Sequence, residues 1–400
     1  MLSTPHPKCL SIIIPALNEE EAIRGTINRC LSARNEIKSE AGLEHVEIIV
    51  INDGSTDLTA EIAQSFANIT LINLEANKGY GAAIKHGFSI ASGDLLGFLD
   101  GDGTCEPRFF VSLCKTLIET SSDIVTGSRM HNKSKMPRIR RMGNLFYAKL
   151  MSALAGCKVQ DTASGMRVIR KPILHELYPL PDGLHFTPAM TCRALLKDSI
   201  KFMEIEMPYS ERQGISKLSI FRDGLRFLLA ITEISLTYRP LKYFGGAGLF
   251  LFAIALFYAI GPLHSKLIYN ILPESAIYRL LTINTLILAG LTLISVGIVA
   301  ERIAVSLNNT NARTYTGFES ILLELFSIHK MLVTGPLLIL SGILLNTGPI
   351  VDYLTTLHIS YHWGYISTGA LLVLTGLQLF ALGVFERLIE TVVKESKPNK

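Results

Sequence analysis

The sequence predicts an α/β fold, a doubly wound parallel sheet, followed by an all-α membrane domain of four helices. Three observations carry this expectation. Strand-like and helix-like segments alternate through residues 10–99, a polar cluster follows each strand-like run, and beyond Arg239 mixed, charged text gives way to long apolar stretches. The alternation is that of consecutive βαβ units. Ligands of such sheets collect at the carboxyl ends of the strands, so the polar clusters should converge on one edge.

Residues 10–15 form a short β-rich run, and Asn18-Glu19-Glu20-Glu21 then opens a helix with acidic residues in its first turn, where the helix dipole favours them. A second strand, 46–51, is closed by Asn52-Asp53-Gly54-Ser55-Thr56-Asp57, with Ser55 or Thr56 as the N-cap of the next helix. A carboxylate at Asp53 can accept hydrogen bonds from a base or ribose. A third strand, 69–74, leads through Asn77-Lys78-Gly79-Tyr80-Gly81 into a helix over 82–91. Gly79 and Gly81 would let backbone N–H groups approach a phosphate at that helix start. Neither a Walker A loop nor a G-x-G-x-x-G fingerprint occurs.

The apolar run 95–99 reads as a buried parallel strand and stops abruptly at Asp100-Gly101-Asp102. Hard carboxylate oxygens held this way suit Mg²⁺ or Mn²⁺, which bind through one or two carboxylates together with substrate phosphates. The same four residues, Asp100 to Gly103, are also good turn chemistry.

A length of 400 residues allows two or three domains. The expected division is a domain over 1–218, amphipathic juxtamembrane helices over 219–242, a four-helix membrane domain over 243–390 and a tail over 391–400. Runs 243–263, 280–300, 331–350 and 365–385 are each long enough to cross a bilayer. Arg239, Lys242, Arg302, Arg313, Lys330, Arg387, Lys394, Lys397 and Lys400 fall on one side of such a topology, against Lys266 and Arg279 on the other. The positive-inside rule then places both termini in the cytosol, and no early segment resembles a signal peptide. The six cysteines include no C-x-x-C pair, so reduced thiols are expected and a zinc site is not. A net charge of +4 argues against a nucleic-acid partner.

Residues 133–141 are strongly basic, fitting a loop that grips phosphate, a patch on anionic lipid, or a merely solvated loop. His185 either touches substrate or packs. Residues 221–236 carry apolar side chains at helical spacing beside Arg222, Asp223 and Arg226, as in a helix lying in a membrane interface.

Ser11-Ile12-Ile13-Ile14-Pro15-Ala16-Leu17-Asn18-Glu19-Glu20, then Val50-Ile51-Asn52-Asp53-Gly54-Ser55-Thr56-Asp57, then Asn77-Lys78-Gly79, then Asp100-Gly101-Asp102 resemble, in order and spacing, a family 2 glycosyltransferase with the GT-A fold. Within that group the chain most resembles membrane-attached polyprenyl-phosphate glycosyltransferases such as dolichol-phosphate mannosyltransferase, over about residues 8–240.

The resemblance implies that Pro15, Ala16, Asn18, Glu19, Asp53, Ser55, Asp57, Asn77, Lys78, Gly79, Asp100 and Gly101 bind the nucleotide-sugar donor. Asp100 and Asp102 would hold Mg²⁺ or Mn²⁺, with Thr104 where some relatives place a third ligand. Asp161-Thr162-Ala163-Ser164-Gly165-Met166-Arg167 matches an acidic block near sugar and acceptor. Glu211-Arg212-Gln213-Gly214-Ile215-Ser216-Lys217-Leu218 matches a basic block that faces the lipid phosphate. Asp161, Asp102 and Arg212 are then the expected catalytic residues, Asp161 as base or sugar-orienting group. Arg129, Arg140, Arg141, Arg167, Ser216 and Lys217 would bind the acceptor phosphate.

The implied reaction is inverting transfer of one sugar from a UDP- or GDP-sugar to undecaprenyl or dolichyl phosphate at the cytosolic face of the bilayer, and the resemblance also allows a homo-oligomer. A phosphate acceptor is already an anion and needs positioning more than deprotonation. Two other readings compete. A transporter or scaffold with a non-catalytic sugar-nucleotide domain would need more intramembrane charge than these runs contain. A polysaccharide synthase would carry Q-x-x-R-W, and the chain's one tryptophan is Trp363, in an expected external loop.

Overall fold

The computed structural model describes residues 7–131, 134–213, 219–270, 276–307, 315 and 317–396. The chain forms two units, Met1–Ser235 and Leu236–Lys400. The first contains, in order, β1 (Cys9–Ala16), α1 (Ile23–Glu40), β2 (His45–Asn52), α2 (Thr59–Gln64), β3 (Thr70–Asn73), α3 (Tyr80–Ile90), β4 (Leu95–Phe98), α4 (Phe110–Glu119), β5 (Ile124–Ser128), α5 (Arg138–Ala155), β6 (Arg167–Arg170), α6 (Leu174–Leu177), α7 (Phe186–Leu196), β7 (Phe202–Glu206) and α8 (Ile220–Tyr238).

These strands make one sheet in the order β3-β2-β1-β4-β6-β5-β7. The first four are parallel, as the alternation predicts. β6 runs antiparallel to both β4 and β5, so the sheet is mixed, and β7 pairs parallel with β5. Ile12, Ile13 and Ile14 are all fully buried, because β1 lies mid-sheet with helices on both faces and has no solvated side to alternate with. The register aligns strand ends: Ala16 lies opposite Asn52, and Ile13 opposite Phe98. That alignment brings the segments after β1, β2 and β4 to one edge.

Two local expectations fail there. The helix after β1 starts at Ile23, so Glu19, Glu20 and Glu21 precede it instead of forming its first turn. Asn18 sits at φ +47°, and its Oδ1 accepts the Thr56 N–H at 2.8 Å, which holds this stretch against the loop after β2. Neither Ser55 nor Thr56 caps α2. Leu58 holds the N-cap position with no side-chain cap, and Asp57 just before it accepts the Thr59 N–H at 3.0 Å, while Ser55 Oγ accepts the Asn18 N–H at 2.9 Å. The segment expected as a separate juxtamembrane stretch, 219–242, belongs to the first unit as far as Ser235.

The second unit contains α9 (Pro240–Tyr269), α10 (Ala276–Leu307), α11 (Phe318–Leu325), α12 (Ile328–Thr356) and α13 (Trp363–Ser396). α9, α10, α12 and α13 are long and apolar enough to cross a membrane and contain the four expected runs. Close approach at glycine joins them in pairs. A Cβ on Gly248 would lie 2.6 Å from the Gly290 carbonyl oxygen, and one on Gly376 2.6 Å from that of Gly335. Asn284 Nδ2 donates to Ser367 Oγ at 2.8 Å and Gln378 Nε2 to Thr292 Oγ1 at 3.0 Å, tying α10 to α13.

Gly97, the centre of β4, faces the Phe110 ring, and a Cβ there would stand 2.7 Å from Cε1. Gly97→Val should therefore cost about 1–3 kcal/mol through overpacking. The measurement is a thermal melt of the full chain in detergent, where the midpoint is expected to drop by several degrees.

Candidate active site

A cavity of about 500 Å³ opens at the carboxyl edge of the parallel strands. One wall comes from the end of β1 and the segments after β1, β2, β3 and β4: Pro15, Ala16, Glu19, Asp53, Asn77, Gly79, Asp100, Gly101 and Asp102. Arg129 and Arg140 line it as well, with Arg212, so that most of the expected donor residues and three of the expected basic ones meet in one place.

In the Asp100–Asp102 pair only Asp102 has an ion-pair partner among the described residues. Asp100 Oδ1 accepts the Tyr80 hydroxyl at 2.7 Å, and its carboxylate rests against Gly165, where any Cβ would collide with it. Burial, then the neighbouring Asp102 charge, pushes the Asp100 carboxyl up to about 7. Asp102 Oδ1 accepts the Thr104 N–H at 3.1 Å and hydroxyl at 2.6 Å. Thr104 thus orients Asp102 and donates to it, in place of the ligand role its position suggests. Asp102 Oδ2 takes Arg212 Nη1 at 2.9 Å, and Arg212 Nη2 reaches Glu19 Oε1 at 2.5 Å.

One guanidinium thus serves two carboxylates, and Asp100 is met only by a neutral hydroxyl. Two hard oxygen donors short of positive charge fit Mg²⁺ or Mn²⁺, which takes its remaining ligands from phosphate and water. Among the described residues no group of three His, Cys, Asp or Glu side chains could enclose a metal unaided.

Several expected donor residues work behind the wall. Asp53 is 2% exposed, and its two oxygens accept the Lys78 and Gly79 N–H groups at 2.8 and 2.9 Å. The carboxylate therefore clamps the 77–79 loop onto the end of β2, with Gly79 at φ +105° completing the turn, and lines the cavity from there. Lys78 contributes its backbone. Asn18, Ser55 and Asp57 do not line the cavity; they hold the loops after β1 and β2 together, Asp57 accepting the Glu20 N–H at 3.2 Å.

The acidic block around Asp161 departs most from expectation. Asp161 is fully buried and does not line the cavity. Its oxygens take Arg129 Nε at 2.7 Å and Nη2 at 2.8 Å, the Arg129 N–H at 2.9 Å and Asn144 Nδ2 at 2.9 Å. Burial pushes this carboxyl up, but the charge and hydrogen bonds of Arg129 outweigh it and hold Asp161 below the usual carboxylate range. A base needs a free, poised oxygen, and both Asp161 oxygens are engaged, so this geometry fits a support for Arg129 better than a base. Arg129 in turn lies 5.5 Å from the Tyr209 ring and faces the cavity.

Arg167 is fully buried as well, donating to Ser164 O at 2.8 Å and Thr191 Oγ1 at 3.2 Å and stacking 5.6 Å from the Phe98 ring. Burial lowers it to about 10, still protonated at neutral pH. It is a core residue, not a phosphate ligand. Arg141 turns its Nη2 to Met130 O at 3.1 Å and does not line the cavity. Ser216 and Lys217 lie outside the described residues.

Apart from Arg140, sequence reasoning missed the part of the lining that α5 and α8 supply. α5 supplies Ile139, Gly143, Asn144 and Tyr147, and α8 supplies Arg222, Asp223, Gly224, Arg226 and Phe227. Tyr147 pins the two helices together, its hydroxyl donating to Gly224 O at 2.8 Å and its ring meeting Phe227 edge-on at 5.9 Å. Helical spacing of Ile139, Gly143 and Tyr147 was the available signal for a shared face. His185 does not line the cavity and precedes α7 as a packed residue.

Residues 11–178 match the family described as Glycosyl transferase family 2. The chain is 30% identical over 234 residues to a dolichyl-phosphate hexose transferase of Haloferax volcanii, covering 58% of this chain and 95% of that protein. It is 25% identical over 304 residues to a dodecaprenyl-phosphate galacturonate synthase of Rhizobium johnstonii, covering 74% of this chain and 87% of that one. Among solved structures, glucosyl-3-phosphoglycerate synthase from Mycobacterium tuberculosis matches at TM-score 0.47 and 19% identity, covering 57% of this chain and 80% of its own.

Asp161→Asn leaves the buried Arg129 without its counter-charge and should cost about 3–5 kcal/mol at neutral pH. The sign of the pH effect follows from the lowered carboxyl. Its stabilisation is complete above the unfolded value of about 4 and is lost as pH falls through the lower folded value. Unfolding of the full chain in detergent, followed against pH, should show that acid limb in the wild type and a reduced one in the variant.

Proposed function

Because this chain belongs to glycosyl transferase family 2, we propose that it transfers a single sugar from a nucleotide-sugar donor to a polyprenyl phosphate, with Mg²⁺ or Mn²⁺ held by Asp100 and Asp102. The observation that carries the reading is the Asp100–Asp102 pair at the end of β4, facing a cavity whose far wall is basic and apolar.

The chain's own residues divide the work. Asp53 and the 77–79 loop shape the donor end, where Gly79 and Asn77 face the ligand space. Asp100 and Asp102, fixed by Tyr80 and Thr104, would hold the cation, which when bound neutralises charge growing on the leaving diphosphate. Arg129, kept rigid by Asp161, would orient the acceptor phosphate together with Arg140. In-line attack by that phosphate inverts the sugar's anomeric centre.

The lipid part of the acceptor is supported by α5 and α8. Both turn apolar side chains outward, Ile139, Met142 and Phe146 on one and Phe221, Leu225 and Leu229 on the other, and Phe221 is 91% exposed. With Arg138 and Arg222 beside them, these faces suit a bilayer surface rich in anionic headgroups. The four apolar helices of the second unit support an integral membrane protein, with both termini and the catalytic unit on the cytosolic side by the positive-inside rule.

The test supplies the full chain in lipid nanodiscs with a panel of labelled UDP- and GDP-sugars and either undecaprenyl or dolichyl phosphate. Label should enter the lipid extract in a form released by mild acid, stop with a chelator and return with Mn²⁺ or Mg²⁺. Asp102→Asn should lower incorporation by about a hundredfold or more. Incorporation unchanged in that variant would defeat the proposal.

A further inference from the structure

Arg212 bridges two acidic residues from different parts of the sheet edge. Glu19 follows β1 and Asp102 follows β4, and all three side chains line the cavity. The guanidinium is delivered by backbone and is no stray surface side chain. Tyr209 forms an antiparallel bridge with Cys105, the Ser210 N–H donates to Thr104 O at 3.0 Å, and the Gln213 N–H donates to Asp102 O at 3.2 Å. Residues 209–213 are thereby laid along the very turn that carries Asp102. Arg212 Nε is buried and has no hydrogen-bond partner among the described residues, so the group retains donor capacity beyond its two carboxylates.

Asp102 Oδ1 already accepts both the N–H and the hydroxyl of Thr104, and Oδ2 accepts Arg212. A divalent cation approaching this pair meets a positive charge on the oxygen it needs. Cation and guanidinium therefore compete. Once displaced, Arg212 presents a planar fork suited to phosphate oxygens.

We infer that Arg212 is a resident counter-ion that interlocks the two halves of donor binding: it occupies Asp102 and Glu19 until a divalent cation takes Asp102 and a diphosphate takes the guanidinium. The inference rests on the reading of Asp100 and Asp102 as the cation site. Glu19 is then a positioning residue, parking Arg212 at the edge of the site. Cation alone and anion alone each face a penalty that the pair together does not, and the coupling is reciprocal.

The experiment labels the full chain in detergent with phenylglyoxal, which attacks accessible guanidinium groups, and reads modification at Arg212 by peptide mass spectrometry. Mn²⁺ alone should raise the Arg212 labelling rate about fivefold or more, and Mn²⁺ with inorganic diphosphate should return it to the metal-free level or below. In parallel, Arg212→Gln should bind Mn²⁺ alone about tenfold more tightly than the wild type, read as free Mn²⁺ by electron paramagnetic resonance.

Asp102→Asn separates the two claims. Loss of Mn²⁺ binding together with high, Mn²⁺-independent labelling of Arg212 supports both. Mn²⁺ binding undiminished in Asp102→Asn overturns the cation site itself. Binding lost in that variant, with wild-type Arg212 labelling indifferent to Mn²⁺, overturns the interlock and leaves the cation site standing.

Discussion

Two carboxylates held close together, with less than their share of positive charge, set the terms for this molecule. Asp100 is driven up to about 7 by burial and by Asp102, a free-energy cost that the fold sustains through specific geometry. Gly165 leaves room for the carboxylate, Tyr80 and Thr104 hydroxyls fix its orientation and that of its neighbour, and Arg212 supplies the one nearby guanidinium in contact with Asp102. Each of these groups comes from a different segment. Tyr80 opens α3 after β3, Thr104 follows β4, Gly165 precedes β6 and Arg212 follows β7, so it is the whole mixed sheet that makes them neighbours.

The motif residues divide into those that meet the cavity and those that hold the wall in place. Asn18, Ser55, Asp57 and the carboxylate of Asp53 exchange hydrogen bonds among three loops, and their polar atoms are spent on backbone N–H groups. This is what an edge of connecting segments requires, because buried loop backbone must find partners that strands and helices find within themselves. A pattern such as Asn-Asp-Gly-Ser-Thr-Asp thus records the construction of a cavity wall as much as its lining.

The parts legible in the sequence are those in which one physical rule acts alone. The apolar runs of β1, β2 and β4 announce strands covered on both faces, and the four long runs after Arg239 announce membrane-spanning helices, as length and composition of α9, α10, α12 and α13 bear out. β6 was not legible, since Arg167-Val168-Ile169-Arg170 is short and begins and ends in charge. Its antiparallel entry between β4 and β5 depends on burying the Arg167 guanidinium among Ser164, Thr191 and the Phe98 ring, contacts that no local pattern encodes. Asp161 misled for the same reason. Its residue type suits a base, but its oxygens are taken up by Arg129 and Asn144, distant in sequence.

The distribution of charge bears on the kind of acceptor the cavity suits. Glu19, Asp53, Asp100, Asp102 and Asp223 line it, and each accepts hydrogen bonds from donors the fold provides: Arg212 for Glu19 and Asp102, backbone N–H groups for Asp53, Tyr80 for Asp100, and the Ser219 N–H at 2.8 Å for Asp223. Among the described residues no histidine lines the space. A phosphate acceptor arrives with its negative charge in place and asks for fixed cations, which Arg129, Arg140, Arg222 and Arg226 supply in the lining of the cavity. Guanidinium groups lining the cavity, with apolar faces of α5 and α8 turned outward beside it, make the arrangement that a charged headgroup on a hydrocarbon tail would match.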